Sequence, residues 1–219
     1  MRYKELTFEG RNAVLEAFRS GKTIDKLYIL DGCQDGPVKS IVREAKKTST
    51  IISYVEKERL DRLANTGHHQ GVVAIGAAYE YADVEDILEA ARSKGEDPFI
   101  FILDEIEDPH NLGAIIRTAN LAGAHGVIIP KRRAVGLTAT VAKTSAGAIN
   151  YTPVAKVTNI AATIESLKKE GLWFVCADMG GETMYNLNLK GPIGLVIGNE
   201  GNGVSRLVKE KCDFVASIP

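Results

Sequence analysis

The sequence predicts an α/β protein of two domains, a small one over residues 1–79 and a larger parallel-sheet one over 98–219, joined by a linker at 80–97. Three observations carry this. Beyond Pro98 the chain alternates strand and helix repeatedly. Its strand candidates IFIL, GVIIP, LWFV and GLVIG are continuously apolar, the pattern of strands covered by helices on both faces. The stretch YADVEDILEAARSKGEDP is charged, carries one short helix, ends in a Gly/Pro turn and separates that run from a shorter alternation before it.

In the first domain GRNAVLEAFRSG places Val14, Leu15 and Phe18 on a helical period and stops at Gly21. The strand KLYIL follows, then the helix VKSIVREAKKTS, the strand IISYV, the short helix ERLDRLAN and the strand GVVAIGAAY. In the second domain the order is PFIFILDEI (strand), LGAIIRTANLAGA (helix), HGVIIP (strand), TATVAKTSAGA (helix) and INYTPVAKV (strand). It continues with NIAATIESLKKEG (helix), LWFVCADM and PIGLVIG (strands), VSRLVKEK (helix) and DFVASIP (strand).

With 219 residues, 45% of them hydrophobic and 25% charged, the chain can bury a sizeable core, which excludes disorder. No apolar run reaches the roughly 20 residues of a membrane span, and the N-terminus lacks the apolar stretch of a secretory signal, so a cytoplasmic protein with no membrane partner is expected. Cys33, Cys176 and Cys212 lie far apart without histidines at ligand spacing, so neither a metal site nor a disulfide framework is expected. Charge is nearly balanced, 13 basic against 11 acidic residues up to Glu80 and 14 against 17 beyond it, so any nucleic-acid signal must be local.

Open parallel sheets bind ligands at the carboxyl ends of their strands, which directs attention to three turns. After PFIFILDEI, Asn111 stands where a helix N-cap belongs and Arg117 lies six residues on, about 9 Å along the axis. The apolar frame of Leu112, Ile115, Ile116, Ala119, Leu121 and Ala122 implies that Arg117 is flanked by buried faces and has an anionic partner; an Asn cap with a solvated Arg is the alternative. After PIGLVIG, the glycines of Gly198, Asn199, Glu200, Gly201 and Gly203 allow close approach by a ligand. The turn has no Walker lysine and no G-x-G-x-x-G spacing, and Glu200 disfavours a pyrophosphate, so a nucleoside carrying a sulfonium suits it better, with a plain tight turn as the alternative. After HGVIIP, Lys131, Arg132 and Arg133 read as a phosphate grip or as a solvated loop. The small residues Thr144, Ser145, Ala146 and Gly147 permit close packing against a ligand or another chain. In the first domain Arg11, Asn12, His68, His69 and Gln70 flank apolar segments, where capping and RNA contact explain them equally well.

These residues resemble a known family. NLGAIIRTA and LVIGNEGNGVS resemble the first and second motifs of the SpoU (TrmH) class of SPOUT RNA ribose 2'-O-methyltransferases, and KRRAVGLTATVAKTSAGA resembles the segment between them. GRNAVLEAF and HHQGVVA are similar to the small L30e-like substrate-binding domain of the subfamily that modifies a guanosine in the peptidyl-transferase region of 23S ribosomal RNA. The resemblance implies a trefoil-knotted α/β domain, a homodimer, a 23S rRNA partner and the cofactor S-adenosyl-L-methionine. It places Asn111, Arg117 and Glu200 at catalytic positions and Ile197, Gly198, Asn199, Gly201, Thr144, Gly147 and Ile218 at the cofactor. Arg11, Asn12, His69, Gln70, Lys131, Arg132 and Arg133 are left for RNA.

A guanidinium is a poor proton acceptor, so the role expected of Arg117 is to clamp the phosphate beside the reacting ribose and stabilise the developing alkoxide. Ile218-Pro219 falls where the family's third motif begins, and a polypeptide ending there would bind the cofactor more weakly than an extended one. The rivals are a tRNA 2'-O-methyltransferase of the same class, a non-catalytic RNA-binding homologue and, more distantly, a dinucleotide-dependent oxidoreductase.

Overall fold

The computed structural model describes residues 6–219; residues 1–5, part of the expected first domain, lie outside it. Contacts divide the chain into two compact units, residues 1–80 with 136–139, and residues 81–135 with 140–219.

The first unit holds the strands β1 (Leu6–Glu9), β2 (Ile24–Leu30), β3 (Ile51–Val55) and β4 (Val72–Gly76), and the helices α1 (Arg11–Arg19), α2 (Gly36–Lys47) and α3 (Lys57–Leu63). The strands lie in the order β1-β4-β2-β3, with only the β2–β3 pair parallel. Alternation along β2 explains the layering. Leu27 and Ile29 pack with Val14 and Phe18 of α1 and Val38 and Ile41 of α2, whereas Tyr28 faces Leu60 of α3. Strand β1 was not expected from the sequence, because four residues carry too little period to separate from a loop.

His69 is buried, and both its ring nitrogens are engaged: Nδ1 accepts from the Gly71 N–H at 3.0 Å and Nε2 donates to Asp61 at 2.9 Å. It orders the turn into β4, with both ring nitrogens already occupied by the chain. His69→Ala orphans a buried N–H, so urea unfolding should show a loss of about 1–3 kcal/mol. The exposed neighbour His68 should tolerate alanine within about 0.5 kcal/mol.

The second unit is built on a six-stranded parallel sheet. Its elements are α4 (Val84–Lys94), β5 (Phe99–Leu103), α5 (Pro109–Leu121), β6 (Gly126–Pro130), α6 (Ala139–Thr144) and β7 (Val154–Val157). They continue with α7 (Ile160–Lys169), β8 (Trp173–Thr183), β9 (Ile193–Ile197), α8 (Arg206–Lys211) and β10 (Phe214–Ser217). The strand order is β10-β8-β9-β5-β6-β7, every pair parallel. Ile100, Ile102, Phe174, Cys176 and Val196 pack on one face with Ile87 of α4, Ile164 of α7 and Val208 of α8. The 80–97 segment, expected as a linker, thus contributes Ile87 and Leu88 to this core.

INYTPVAKV, expected as one strand, splits into a 3-10 turn at Ala148–Asn150 and β7. Strand β8 runs on to Thr183, well past the expected LWFVCADM. Its pairing with β10 skips from Cys176 to Glu182, so Ala177–Gly181 bulge outward at the carboxyl end of the sheet.

Candidate functional site

From β5 the chain leads through α5 to β6 on one side; from β9 it leads through α8 to β10 on the other. The crevice at the carboxyl ends of β5 and β9 is therefore the topological switch point of the sheet, where such folds receive ligands.

Two of the expected catalytic residues meet there. Asn111 Nδ2 donates to Glu200 Oε1 at 2.7 Å across 89 positions of sequence. Asn111 is not the N-cap of α5. That place belongs to Asp108, whose carboxylate accepts from the N–H groups of His110 and Asn111, with Pro109 opening the helix. Capping by Asp108 frees the Asn111 side chain to reach the loop after β9.

That loop is held by its own backbone. Asn199 and Gly203 exchange N–H···O bonds at 3.0 and 2.8 Å, and Asn199 Oδ1 accepts from the Gly201 N–H at 2.8 Å. A Cβ on Gly198 would overlap the Gly203 carbonyl and the Val204 nitrogen, so only glycine fits where the loop closes on itself. Asn199 Nδ2 donates to the Glu105 carbonyl at 3.0 Å, and the Ser205 N–H donates to buried Asp104 at 2.8 Å, tying the loop to the end of β5. Ile197, the last residue of β9, sits between Leu103 and Ala177.

The basic loop joins the same rim. Arg133 pairs with Glu105 at 2.8 Å, and this carboxylate holds the guanidinium pKa above its ordinary value. Glu105 and Arg133 both have left-handed backbones, φ 58° and 55°, a strain of the kind concentrated at ligand sites. Lys131 and Arg132 have no ion pair among the described residues, so these two, rather than all three, are cations in search of a partner.

Other expected residues lie apart. The Arg117 side chain is exposed and makes no hydrogen bond or ion pair among the described residues, so it is not flanked by buried faces as expected, and no described residue is its anionic partner. Leu112, Ile116 and Ala119 carry the buried stripe of α5, and Arg117 falls outside it. Thr144 packs directly on Gly113 of α5 and donates its hydroxyl to the Thr140 carbonyl at 2.9 Å, so it supports α5. Gly147, at φ 90°, turns the chain into the Ala148–Asn150 segment. Ile218 borders a groove of about 460 Å³ with Ala177, Ile193, Leu195 and Ser217.

In the first unit two distant motifs come together: the Arg11 N–H donates to Gln70 Oε1 and its Nε to the Gln70 carbonyl, both at 3.2 Å, while the guanidinium pairs with Asp35 at 2.6 Å. Asn12 is exposed beside them.

Sequence reasoning missed Asp178. It sits in the β8 bulge, pairs with Lys209 of α8 at 2.8 Å, and would lie 3.6 Å from a Cβ on Gly203, so it stands beside the glycine loop. The Lys209 ammonium and the Met179 N–H hold its carboxyl below the usual range. The available signal was Asp-Met-Gly-Gly at a strand end, with Gly180 at φ 77°.

No helix among the described residues is long and apolar enough to cross a membrane. Residues 98–219, more than half of the chain, match the model of the SpoU rRNA Methylase family, and residues 8–82 match the RNA 2'-O ribose methyltransferase substrate binding domain. YacO of Bacillus subtilis, which carries a TrmH-family tRNA/rRNA methyltransferase name, is 52% identical over 96% of this chain and 84% of its own length. A relative of the same TrmH-family naming from Staphylococcus haemolyticus is 48% identical over 99% of this chain and 87% of its own.

Among solved structures, the SpoU methyltransferase AviRb from Streptomyces viridochromogenes, in complex with the cofactor AdoMet, superposes with a TM-score of 0.57 at 22% identity, covering 98% of this chain and 81% of that one. An AdoMet-bound rRNA methyltransferase from Sinorhizobium meliloti gives a TM-score of 0.55 at 23% identity, covering 98% and 78%. These two likenesses concern the fold. By its sequence matches across both units, this chain belongs to the SpoU/TrmH family of RNA methyltransferases.

Proposed function

We propose that this protein transfers a methyl group from S-adenosyl-L-methionine to a ribose 2'-hydroxyl of ribosomal RNA, a guanosine of the 23S peptidyl-transferase region being the substrate. The observation that carries the reading is the Asn111–Glu200 hydrogen bond, which joins the two motif loops at the switch point of the sheet. The rRNA assignment rests on the family matched by residues 98–219.

The residues present fit the cofactor. The groove along the sheet face from Phe99 and Ile193 to Ala177 and Ile218 is apolar and lined by no cation that would favour a polyphosphate, and of the residues expected at the cofactor Ile218 lines it. The backbone of Ile197, Gly198, Asn199, Gly201 and Ile218 would line the adenosine portion, and because the Asn199 and Gly201 N–H groups are taken within the loop, the contacts left to it are the carbonyls and the Gly198 and Ile218 backbone. When bound, the cofactor supplies a methyl group on a sulfonium. Glu200, with one oxygen bonded to Asn111, keeps the other for the incoming nucleoside. Asn111 fixes the direction of that carboxylate. Arg117 clamps the phosphate beside the reacting ribose. Because it lies exposed with Leu121 and Tyr151, 82% and 81% accessible, the proposal includes the homodimer and the knot that the resemblance implies, the second copy covering this face. Leu121→Glu should then shift sedimentation to the monomer.

The reading is tested by isothermal titration with S-adenosyl-L-methionine and with NAD(H), followed by transfer of a labelled methyl group to RNA. Binding of the first ligand alone, with transfer, is expected. Binding without transfer would identify a non-catalytic RNA-binding homologue, and binding of NAD(H) an oxidoreductase. Lys131 and Arg132, whose side chains have no ion pair among the described residues, are read as phosphate contacts. Replacing both by alanine should weaken RNA binding and reduce the slope of log affinity against log salt by about 0.7–0.9 per cation, with cofactor affinity unchanged. An unchanged slope would make them a solvated loop.

A further inference from the structure

The first unit carries a concave surface that begins at Cys33, beside Arg11 of the Arg11–Gln70 cluster, and extends from there along α2. A groove of about 670 Å³ runs between α2 and the edge strand β3, and its walls include Lys39, Arg43, Lys46, Lys47, Val42 and Tyr54. The four cations recur at the spacing that puts them on one side of a helix, and Lys39 and Lys47 are about 12 Å apart along the axis.

Helix stability explains only part of this stripe. Lys46 and Lys47, in the last turn, complement the helix dipole. Lys39, near the first turn, is opposed by it. Among the described residues neither Lys39 nor Lys46 has an ion pair; Glu44 pairs only with Lys47 at 2.9 Å and Arg43 at 3.8 Å.

Across the groove stands Tyr54, which is 54% exposed. It lies two residues beyond Ile52, which packs into the core shared with α2, so its ring stands on the α2 side of the sheet. An aromatic face opposite a row of cations, with half-buried Val42 between them, matches the way proteins hold a single strand: cations follow the backbone and a ring stacks on a base.

We propose that the α2–β3 groove binds a single-stranded segment of the RNA, with Lys39, Arg43, Lys46 and Lys47 on successive phosphates and Tyr54 stacked on one unpaired base. This rests on the reading of the protein as an RNA-modifying enzyme. It adds a site on the first unit that is separate from the methyl-transfer centre. Charge selects RNA over an apolar peptide, and the ring selects a single strand over a duplex, whose bases are already stacked.

The test uses the full chain and a fluorescent 12-nucleotide oligouridylate, with a 12-base-pair RNA duplex and a polyglutamate of equal length as comparisons. Tyr54→Ala should weaken oligouridylate binding by about 5- to 150-fold, the range for loss of one stacked base, while Tyr54→Phe, which keeps the ring, stays near wild type. Lys39→Ala with Lys46→Ala should lower the salt slope by about 0.7 per cation.

Failure of the wild-type chain to bind oligouridylate, unchanged binding by Tyr54→Ala, or equal losses in the alanine and phenylalanine variants would overturn the proposal. So would preferential binding of polyglutamate that the lysine substitutions abolish, which would mark a protein partner. S-adenosyl-L-methionine affinity, measured on the same samples, separates the two levels. Oligouridylate binding without cofactor binding removes the methyltransferase reading and leaves the groove, and the converse removes only the groove.

Discussion

Arg117→Ala is expected to leave S-adenosyl-L-methionine binding nearly intact and to lower methyl-transfer turnover by at least about 100-fold, the scale of losing one transition-state electrostatic contact. Arg117 is exposed and unpaired among the described residues, so removing it breaks no internal bond and should leave the melting temperature alone. A side chain with nothing to do in the folded chain, on a helix whose Asn111 forms the site, is placed to act on what arrives from outside. Arg117→Lys should rescue little, since a point charge lacks the planar fork that matches a phosphate. Near-normal single-turnover rates in either variant would remove the assigned role.

Gly198→Ala should act on the other component. The added methyl would overlap backbone atoms of Gly203 and Val204, which cannot swing aside as a side chain would, so the bonds between Asn199 and Gly203 must open. At the upper end of overpacking costs, about 3 kcal/mol, cofactor affinity should fall by about 100-fold. The neighbouring glycine is the control. A Cβ on Gly201 would meet only Asn199 Oδ1, at 3.4 Å, so Gly201→Ala leaves the loop closed and should cost less affinity than Gly198→Ala. Titration calorimetry giving equal losses for the two variants would show that the loop is not held by the close approach described above.

The parallel sheet was legible because its strands are apolar along their whole length, and the two motif loops were legible because they leave such strands. The contact between Asn111 and Glu200 was not, since no periodicity relates residues 89 positions apart. Asn111 was misplaced by three positions because Asp108 and Asn111 are both good caps; Pro109 at the first helical position was the deciding sign. The apolar neighbours of Arg117 suggest flanking buried faces, but the phase of α5 puts its buried stripe at Leu112, Ile116 and Ala119. His68 and His69 are adjacent and chemically identical, and only the fold distinguishes the exposed ring from the one bonded to Asp61 and Gly71. Asp178 escaped notice because the strand that carries it runs on through a bulge.

The most direct test of the account is to incubate the protein with methyl-labelled S-adenosyl-L-methionine and separate pools of unmodified ribosomal and transfer RNA, then digest each to nucleosides and identify the labelled product by mass spectrometry. The expected product is 2'-O-methylguanosine, recovered from 23S rRNA and lost with Arg117→Ala. Label on a base, label confined to transfer RNA, or no label from a protein that binds the cofactor would contradict it.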